Sequence, residues 1–173
     1  MKRVFAALLA MITAVLFAVP LLGCARYTHI VISTQRLGDF YCSMYEDETV
    51  EIIKYMGEER IVQVPSGING RTVVGITTRA FVDEENIEEV YLPASITELP
   101  AKLFDNCASL RAVYIPATVT KIGKYFVNDC PNFTTVLYAG TEAQWYKISK
   151  GNVLTENYPL SVAEIQFGYV VQG

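Results

Sequence analysis

Residues 91–136 hold two copies of one 23-residue unit, and that repetition restricts the fold more than any other feature of the chain. Tyr91-Leu92-Pro93 is answered by Tyr114-Ile115-Pro116, Leu99 by Ile122, Phe104 by Val127 and Cys107 by Cys130. Ile96 falls on Val119, Leu103 on Phe126, Leu110 on Phe133 and Val113 on Val136. One period upstream the same apolar columns recur at Val73, Ile76, Ala80, Phe81, Ile87 and Val90. No single unit of this size encloses its own apolar residues; stacking buries them. Fixed-period self-similarity of this kind predicts a solenoid of stacked coils.

The amino terminus points to export. Lys2-Arg3 precede an apolar run from Val4 to Leu22, and Gly23-Cys24 follow. A charged start, an apolar stretch and a small residue before the cut describe a signal segment. Leu21-Leu22-Gly23-Cys24 resembles the lipobox of bacterial lipoproteins, which implies signal residues 1–23 and a lipidated Cys24 as the membrane anchor. Two chemistries compete: an uncleaved membrane anchor, since the run is long enough to span a bilayer, and an ordinary secretory signal. Pro20 stands against a continuing helix.

With Lys2 and Arg3 removed, 12 basic residues face 18 acidic ones, leaving a net charge of −6. An acidic chain offers no basic patch for nucleic acid. Its Val, Ile, Leu, Tyr and Phe content suits a packed β-rich domain. Beside Cys24, three cysteines remain: Cys42, Cys107 and Cys130. Cys107 and Cys130 share a column, so their Cα atoms should lie about 5 Å apart, one strand spacing. That separation permits either a disulfide or two stacked core thiols. No C-x-x-C pair supports a zinc or redox site.

Residues 24–38 show no period and read as a tether. Phe40–Tyr45 and Val50–Tyr55 alternate and read as a hairpin, followed by a strand over Arg60–Val64 and a turn at Asn69-Gly70. Together residues 39–72 make an amino-terminal β cap, and 73–150 make the repeats. Each repeat carries a short strand: Glu89–Leu92, Ala112–Ile115 and Thr135–Tyr138. Alternation turns Val90, Leu92, Val113, Ile115, Val136 and Tyr138 inward. Glu89, Tyr91, Ala112, Tyr114, Thr135 and Leu137 then face out. Pro93 and Pro116 end their strands, because proline lacks an N–H. Residues 122–130 read as a turn or 3₁₀-like segment on the back. Residues 151–173 form a carboxy-terminal cap, with a last strand within Val162–Val171 covering the open edge.

The frame Ile115-Pro116, Val119, Ile122-Gly123, Cys130 and Val136 resembles the BspA-type leucine-rich repeats of bacterial surface proteins. Ala80-Phe81 match it in the first copy, and Leu92-Pro93, Leu99, Phe104, Cys107 and Leu110 in the second. Tyr55 to Val73 is similar to the family's entry segment, and Tyr138 to Ile148, with Trp145, to its exit segment. The pattern is broken where Gly123 corresponds to Pro100 and Thr77, and where the alanine column holds Leu103 and Phe126. The resemblance implies a mainly β fold: a short leucine-rich-repeat solenoid with an N-terminal β-hairpin cap and a C-terminal cap. It also implies a role in adhesion or surface interaction.

Catalytic chemistry finds no foothold. The single histidine, His29, lies in the tether, so no Ser-His-Asp or Cys-His set can form within the domain. Asp83-Glu84-Glu85 and Glu88-Glu89 sit before a strand, where carboxylates keep a loop solvated, with weak Ca²⁺ binding or glycosidase-like chemistry as the alternatives. No phosphate loop or histidine metal motif is present, so no cofactor or metal is expected. Asn132-Phe133-Thr134 is formally a glycosylation sequon, expected to be inert in a bacterium. The outward column is the candidate binding face, for a protein or glycan ligand of the host or the envelope. Stacked tyrosines there serve either recognition or cross-strand stabilisation. The expected function is a non-catalytic, lipid-anchored surface binding module. The alternative is a structural envelope protein packing against another surface protein or itself.

Overall fold

The computed structural model describes residues 30–171, so the signal segment, Cys24 and His29 lie outside the described residues. The repeats coil into a mainly β solenoid of about four turns. Its front is a parallel sheet, interrupted by no helix, of β4 (Ile61–Gln63), β8 (Glu89–Tyr91), β11 (Ala112–Ile115), β14 (Thr135–Tyr138) and β15 (Glu164–Phe167). Register follows the repeat: Val90 pairs with Val113, Val113 with Val136, and Tyr91 with Tyr114. A side ladder joins β7 (Phe81–Val82), β10 (Phe104–Asp105) and β13 (Val127–Asn128). The back carries β9 (Glu98–Leu99) beside β12 (Lys121–Ile122). It begins in a sheet ordered β1 (Val31–Leu37), β2 (Phe40–Tyr45), β3 (Thr49–Tyr55), β6 (Arg71–Ile76) and β5 (Gly67–Ile68).

Two expectations need correction. Residues 31–37 are a strand, not a tether: β1 pairs antiparallel with β2 from Val31 to Leu37. Both of its faces are in water, so no alternation marked it. The strand near residues 60–64 was read as part of the cap, yet β4 is the first strand of the front sheet, pairing Val62 with Val90. Stacking also starts upstream, since β3 runs parallel to β6 with Thr49 beside Thr72. Residues 122–130, expected as a turn or 3₁₀-like segment, take the turn. The coil turns between two-residue strands, β12 and β13, whose neighbours are the equivalent strands of the preceding coil.

The hairpin of β2 and β3 forms as its alternation predicts. Asn69 and Gly70 make a two-residue turn with φ of 50° and 78°, joining β5 to β6 antiparallel. Positive φ at both central residues matches the twist of the flanking strands. The sharpest corners recur with the repeat. Arg79, Lys102 and Tyr125 take φ of 62°, 51° and 56°, and Asp83, Asn106 and Asp129 take 59°, 60° and 49°. Asp and Asn tolerate this left-handed region; Arg, Lys and Tyr do so at a cost of order 1 kcal/mol each.

A spine of rings fills the core. Phe40, Tyr55, Phe81, Phe104 and Phe126 follow one another with centroid separations of 5.5, 5.5, 5.3 and 5.4 Å. Offset or edge contacts at such spacings add about 0.5–1.5 kcal/mol per pair beyond burial. Cys42, Cys107 and Cys130 are buried free thiols. Cys107 Sγ donates to Phe81 O at 2.9 Å and Cys130 Sγ to Asn128 O at 3.1 Å, so the stacked pair is satisfied by backbone instead of by a bridge.

The exit segment closes the stack. Thr141 caps α1 (Glu142–Trp145) in a capping box with Gln144, which satisfies two free N–H groups reciprocally. Trp145 is buried against Tyr138 at 5.2 Å. Then α2 (Tyr158–Val162) leads into β15, and Asn157 fastens this cap. Its Oδ1 accepts from Phe126 N–H at 2.9 Å while its Nδ2 donates to Gly123 O and Lys150 O.

Candidate functional site

Glu89, Tyr91, Tyr114 and Thr135 stand on the outward side of the front sheet, each partly exposed. Parallel register places Tyr91 directly beside Tyr114, and their rings stack at 5.8 Å with planes 24° apart. Each tyrosine therefore turns a ring face along the column and an edge toward solvent. Tyr91 Oη donates to Glu89 Oε2 at 2.8 Å, fixing the ring. Burial, together with the bonds to Glu89 and Tyr169, pushes the Tyr91 hydroxyl above its ordinary pKa, so it is a stable donor at neutral pH.

The ends of the expected face are closed. Ala112 is 8% exposed and Leu137 only 7%, although alternation points both outward. The physical reason at Leu137 lies far along the chain. Gly168 turns the chain at φ 67°, and Tyr169 N–H donates to Tyr138 O at 3.0 Å. The Tyr169 ring then comes to 6.0 Å from Tyr114. The carboxy-terminal segment thus straps the column, with Tyr169 against Tyr114 and bonded to Tyr91, and Tyr91, Tyr114, Glu89 and Thr135 stay partly exposed beside it. Tyr169 is the residue that sequence reasoning missed; it lies outside the repeat period and carries no spacing signal.

Charge collects on one flank. Glu88 pairs with both Arg60 and Arg111, and Arg111 also reaches Glu89 at 3.6 Å. Beside them is a polar cleft of about 430 Å³ lined by Glu88, Ser109, Arg111, Asn132 and Thr134. Asn132 of the sequon donates to Ala108 O at 2.8 Å, tying one coil to the next. Of the loop carboxylates, Asp83 accepts from Asn106 Nδ2 at 2.8 Å, and burial raises the pKa of Glu84.

The thiols are buried, and burial alone pushes Cys42 up to about 11, which keeps it protonated and unreactive. The hydrogen bond to Cys130, with burial, also raises Cys107. Among the described residues, no group of three or more His, Cys, Asp or Glu is placed to hold a metal ion, and no helix is long and apolar enough to cross a membrane.

Several bacterial repeat proteins resemble this chain. A leucine-rich repeat protein from Bacteroides capillosus is 20% identical, with a TM-score of 0.62 over 78% of this chain and 99% of its own. A leucine rich cell surface protein from Faecalibacterium prausnitzii is also 20% identical, with a TM-score of 0.39 over 68% of this chain and 42% of its own. The T. pallidum leucine rich repeat protein gives 20% identity and a TM-score of 0.37 over 61% and 71%. The first of these shares the fold. A comparison with curated protein sequences finds no match. The profile of the BspA type leucine rich repeat region matches residues 65–165 in six copies, more than half of the chain. The columns, the coils and that match agree: this chain belongs to the BspA-type leucine-rich-repeat family.

Proposed function

We propose that this chain is an exported, non-catalytic binding module, held to a bacterial membrane by lipid on Cys24, which recognises a protein through the open part of its front face. The observation that carries the reading is the stacked pair Tyr91 and Tyr114, held upright on a rigid sheet and still partly exposed. Tyrosines immobilised before binding lose little entropy on contact. Their orientation favours protein over glycan. A sugar packs its C–H groups flat on an open ring face, and here Tyr91 and Tyr114 turn faces to each other while the Tyr169 ring lies 6.0 Å from Tyr114 and bonds Tyr91. Edges, hydroxyls and the flanking Glu89 and Arg111 suit the polar, hydrogen-bonding surface of a protein. The family resemblance makes the role adhesion-like, with the ligand on a host or on the envelope.

The experiment is a binding screen of the purified protein against extracellular-matrix proteins, glycans and envelope extract, repeated with Tyr91→Ala/Tyr114→Ala. A protein ligand lost with the double variant at an unchanged melting temperature supports the reading. Loss of stability alone assigns the tyrosines to packing and favours the structural envelope role, which the contact with Tyr169 also suits. Mass spectrometry of the mature amino terminus tests the anchor: an unmodified Met1 refutes it.

A further inference from the structure

The carboxy-terminal end of the stack is not finished as an end. Solenoids need a terminal cap with a polar outer face to stay soluble. Here Tyr146 and Leu154 are 73% and 70% exposed, and Tyr158, Val162 and Phe167 are exposed with them. Beneath lies a mostly apolar cavity of about 370 Å³ lined by Trp145, Val153, Leu154, Leu160 and Ile165, with Lys150 and Ser161 also on its wall. It sits where the inward column Val90, Val113, Val136, Ile165 would continue into another coil.

Strand β15 is also a free sheet edge. It pairs with β14 on one side only, as the last strand of the front sheet. Glu164 N–H donates to Thr134 O at 2.8 Å. In a parallel ladder both backbone groups of alternate residues point the same way. Glu164 and Gln166 therefore face β14, and Ile165 and Phe167 turn their N–H and C=O outward. Edges are normally blunted by lysine, proline, a bulge or a cover. At the opposite end β1 has a bulge between Val31 and Ser33 and polar residues through Arg36. Strand β15, Glu-Ile-Gln-Phe, is short and carries one charge at Glu164, but has no proline, lysine or bulge, and Ile165 and Phe167 are apolar.

We infer that this end is a self-association surface on which a second copy pairs its β15 antiparallel about a two-fold axis at Gln166. The occupant follows from the register. Centred on Gln166, Ile165 of each copy stands opposite Phe167 of the other, and those are the residues whose backbone groups are free. Their side chains share the inward face with the apolar cavity. Glu164 then meets Gly168, so no like charges face each other. Centring the strand between two residues would instead set inward Ile165 against outward Gln166 and break both faces. An isologous contact of this kind closes on itself without making fibres.

Gln166 at the axis is a non-hydrogen-bonded pair, with Cα atoms about 4.5 Å apart, a separation that a disulfide spans. Gln166→Cys in the full chain, expressed in its own cell and run without reductant, should shift most of the protein to a dimer band. Glu58→Cys, exposed near the amino-terminal end, should give only collisional traces. Phe167→Lys added to Gln166→Cys should abolish the dimer band. Sedimentation of the unmodified purified protein through a dilution series should show reversible dimer, absent in Phe167→Lys. Cross-linking no greater than for Glu58→Cys, or a monomer at every dilution, overturns the inference. A Gln166→Cys adduct with a different protein overturns it too, because the edge then belongs to a foreign strand.

Discussion

Alanine at Gly123 should force two coils apart. An added Cβ would lie 2.4 Å from Ala101 N, 2.6 Å from Pro100 C and 2.8 Å from Ala101 Cα. All three atoms are backbone, so no rotamer change relieves the clash. Gly123 has negative φ, which leaves sterics as the whole cost. Opening the gap by about 1 Å, to ordinary van der Waals distance, stretches the bond from Gly123 N–H to Leu99 O, now 2.8 Å. It also pulls on the bond from Asn157 Nδ2 to Gly123 O at 3.1 Å, which fastens the carboxy-terminal cap. Overpacking costs about 1–3 kcal/mol and a weakened hydrogen bond about 1 kcal/mol more. The sum, about 2–4 kcal/mol, corresponds to a fall in Tm of roughly 5–15 °C for a domain of this size. Thermal denaturation followed by circular dichroism measures it. Gly70→Ala is the control: its Cβ meets nothing within 4 Å, but φ is 78°, so only backbone strain is added. A Gly123→Ala protein melting within a degree or two of the parent would show slack between the coils and refute the close-approach argument.

Four further outcomes follow from the same geometry. Tyr169→Ala should uncover Leu137 and Tyr114, speeding nitration of Tyr114 by tetranitromethane and lowering stability by about 1–2 kcal/mol. Lys102→Gly relieves a left-handed corner and should raise stability by about 0.5–1 kcal/mol in urea denaturation, at unchanged m-value. Alkylation of Cys42, Cys107 and Cys130 at mildly alkaline pH should track unfolding, because all three thiols are buried away from the reagent; rapid labelling of the native protein would contradict that. Glu156 has a pKa lowered first by its hydrogen bond to Lys124, so its stabilisation is complete above the unfolded value of 4.5 and is lost as pH falls through the folded one. Glu156→Gln should accordingly flatten the acid limb of a plot of Tm against pH.

The core columns were legible because burial imposes one apolar residue at each coil position, and the coil length sets the period. Ile76, Leu99 and Ile122, or Val90, Val113 and Val136, could be read directly. The strand β1 was not, since six of its seven residues are exposed and no apolar alternation runs through it. The place of β4 was hidden because Val62 lies beside Val90, a spacing different from the repeat. On the candidate face, alternation marks direction but not cover. Tyr91 and Tyr114 are partly exposed on that face, whereas Leu137 is buried, and the chain that returns there carries Tyr169, a residue with no periodic counterpart. The left-handed corners at Arg79, Lys102 and Tyr125 carry no composition signal, because these residue types do not ordinarily mark such a turn.

Those corners have a consequence for how such a chain can change in length. The pairs Arg79 and Asp83, Lys102 and Asn106, and Tyr125 and Asp129 bend the backbone at identical points of successive coils. A duplication or excision of one whole 23-residue unit therefore returns every corner, column and ladder to its place. An addition of any other length must be taken up in a loop between corners, as in the coil from Val62 to Val90, whose partners lie 28 residues apart and still pair in the front sheet. Gene-level variation should therefore survive as whole 23-residue coils or as loop additions that leave the corners and strands untouched.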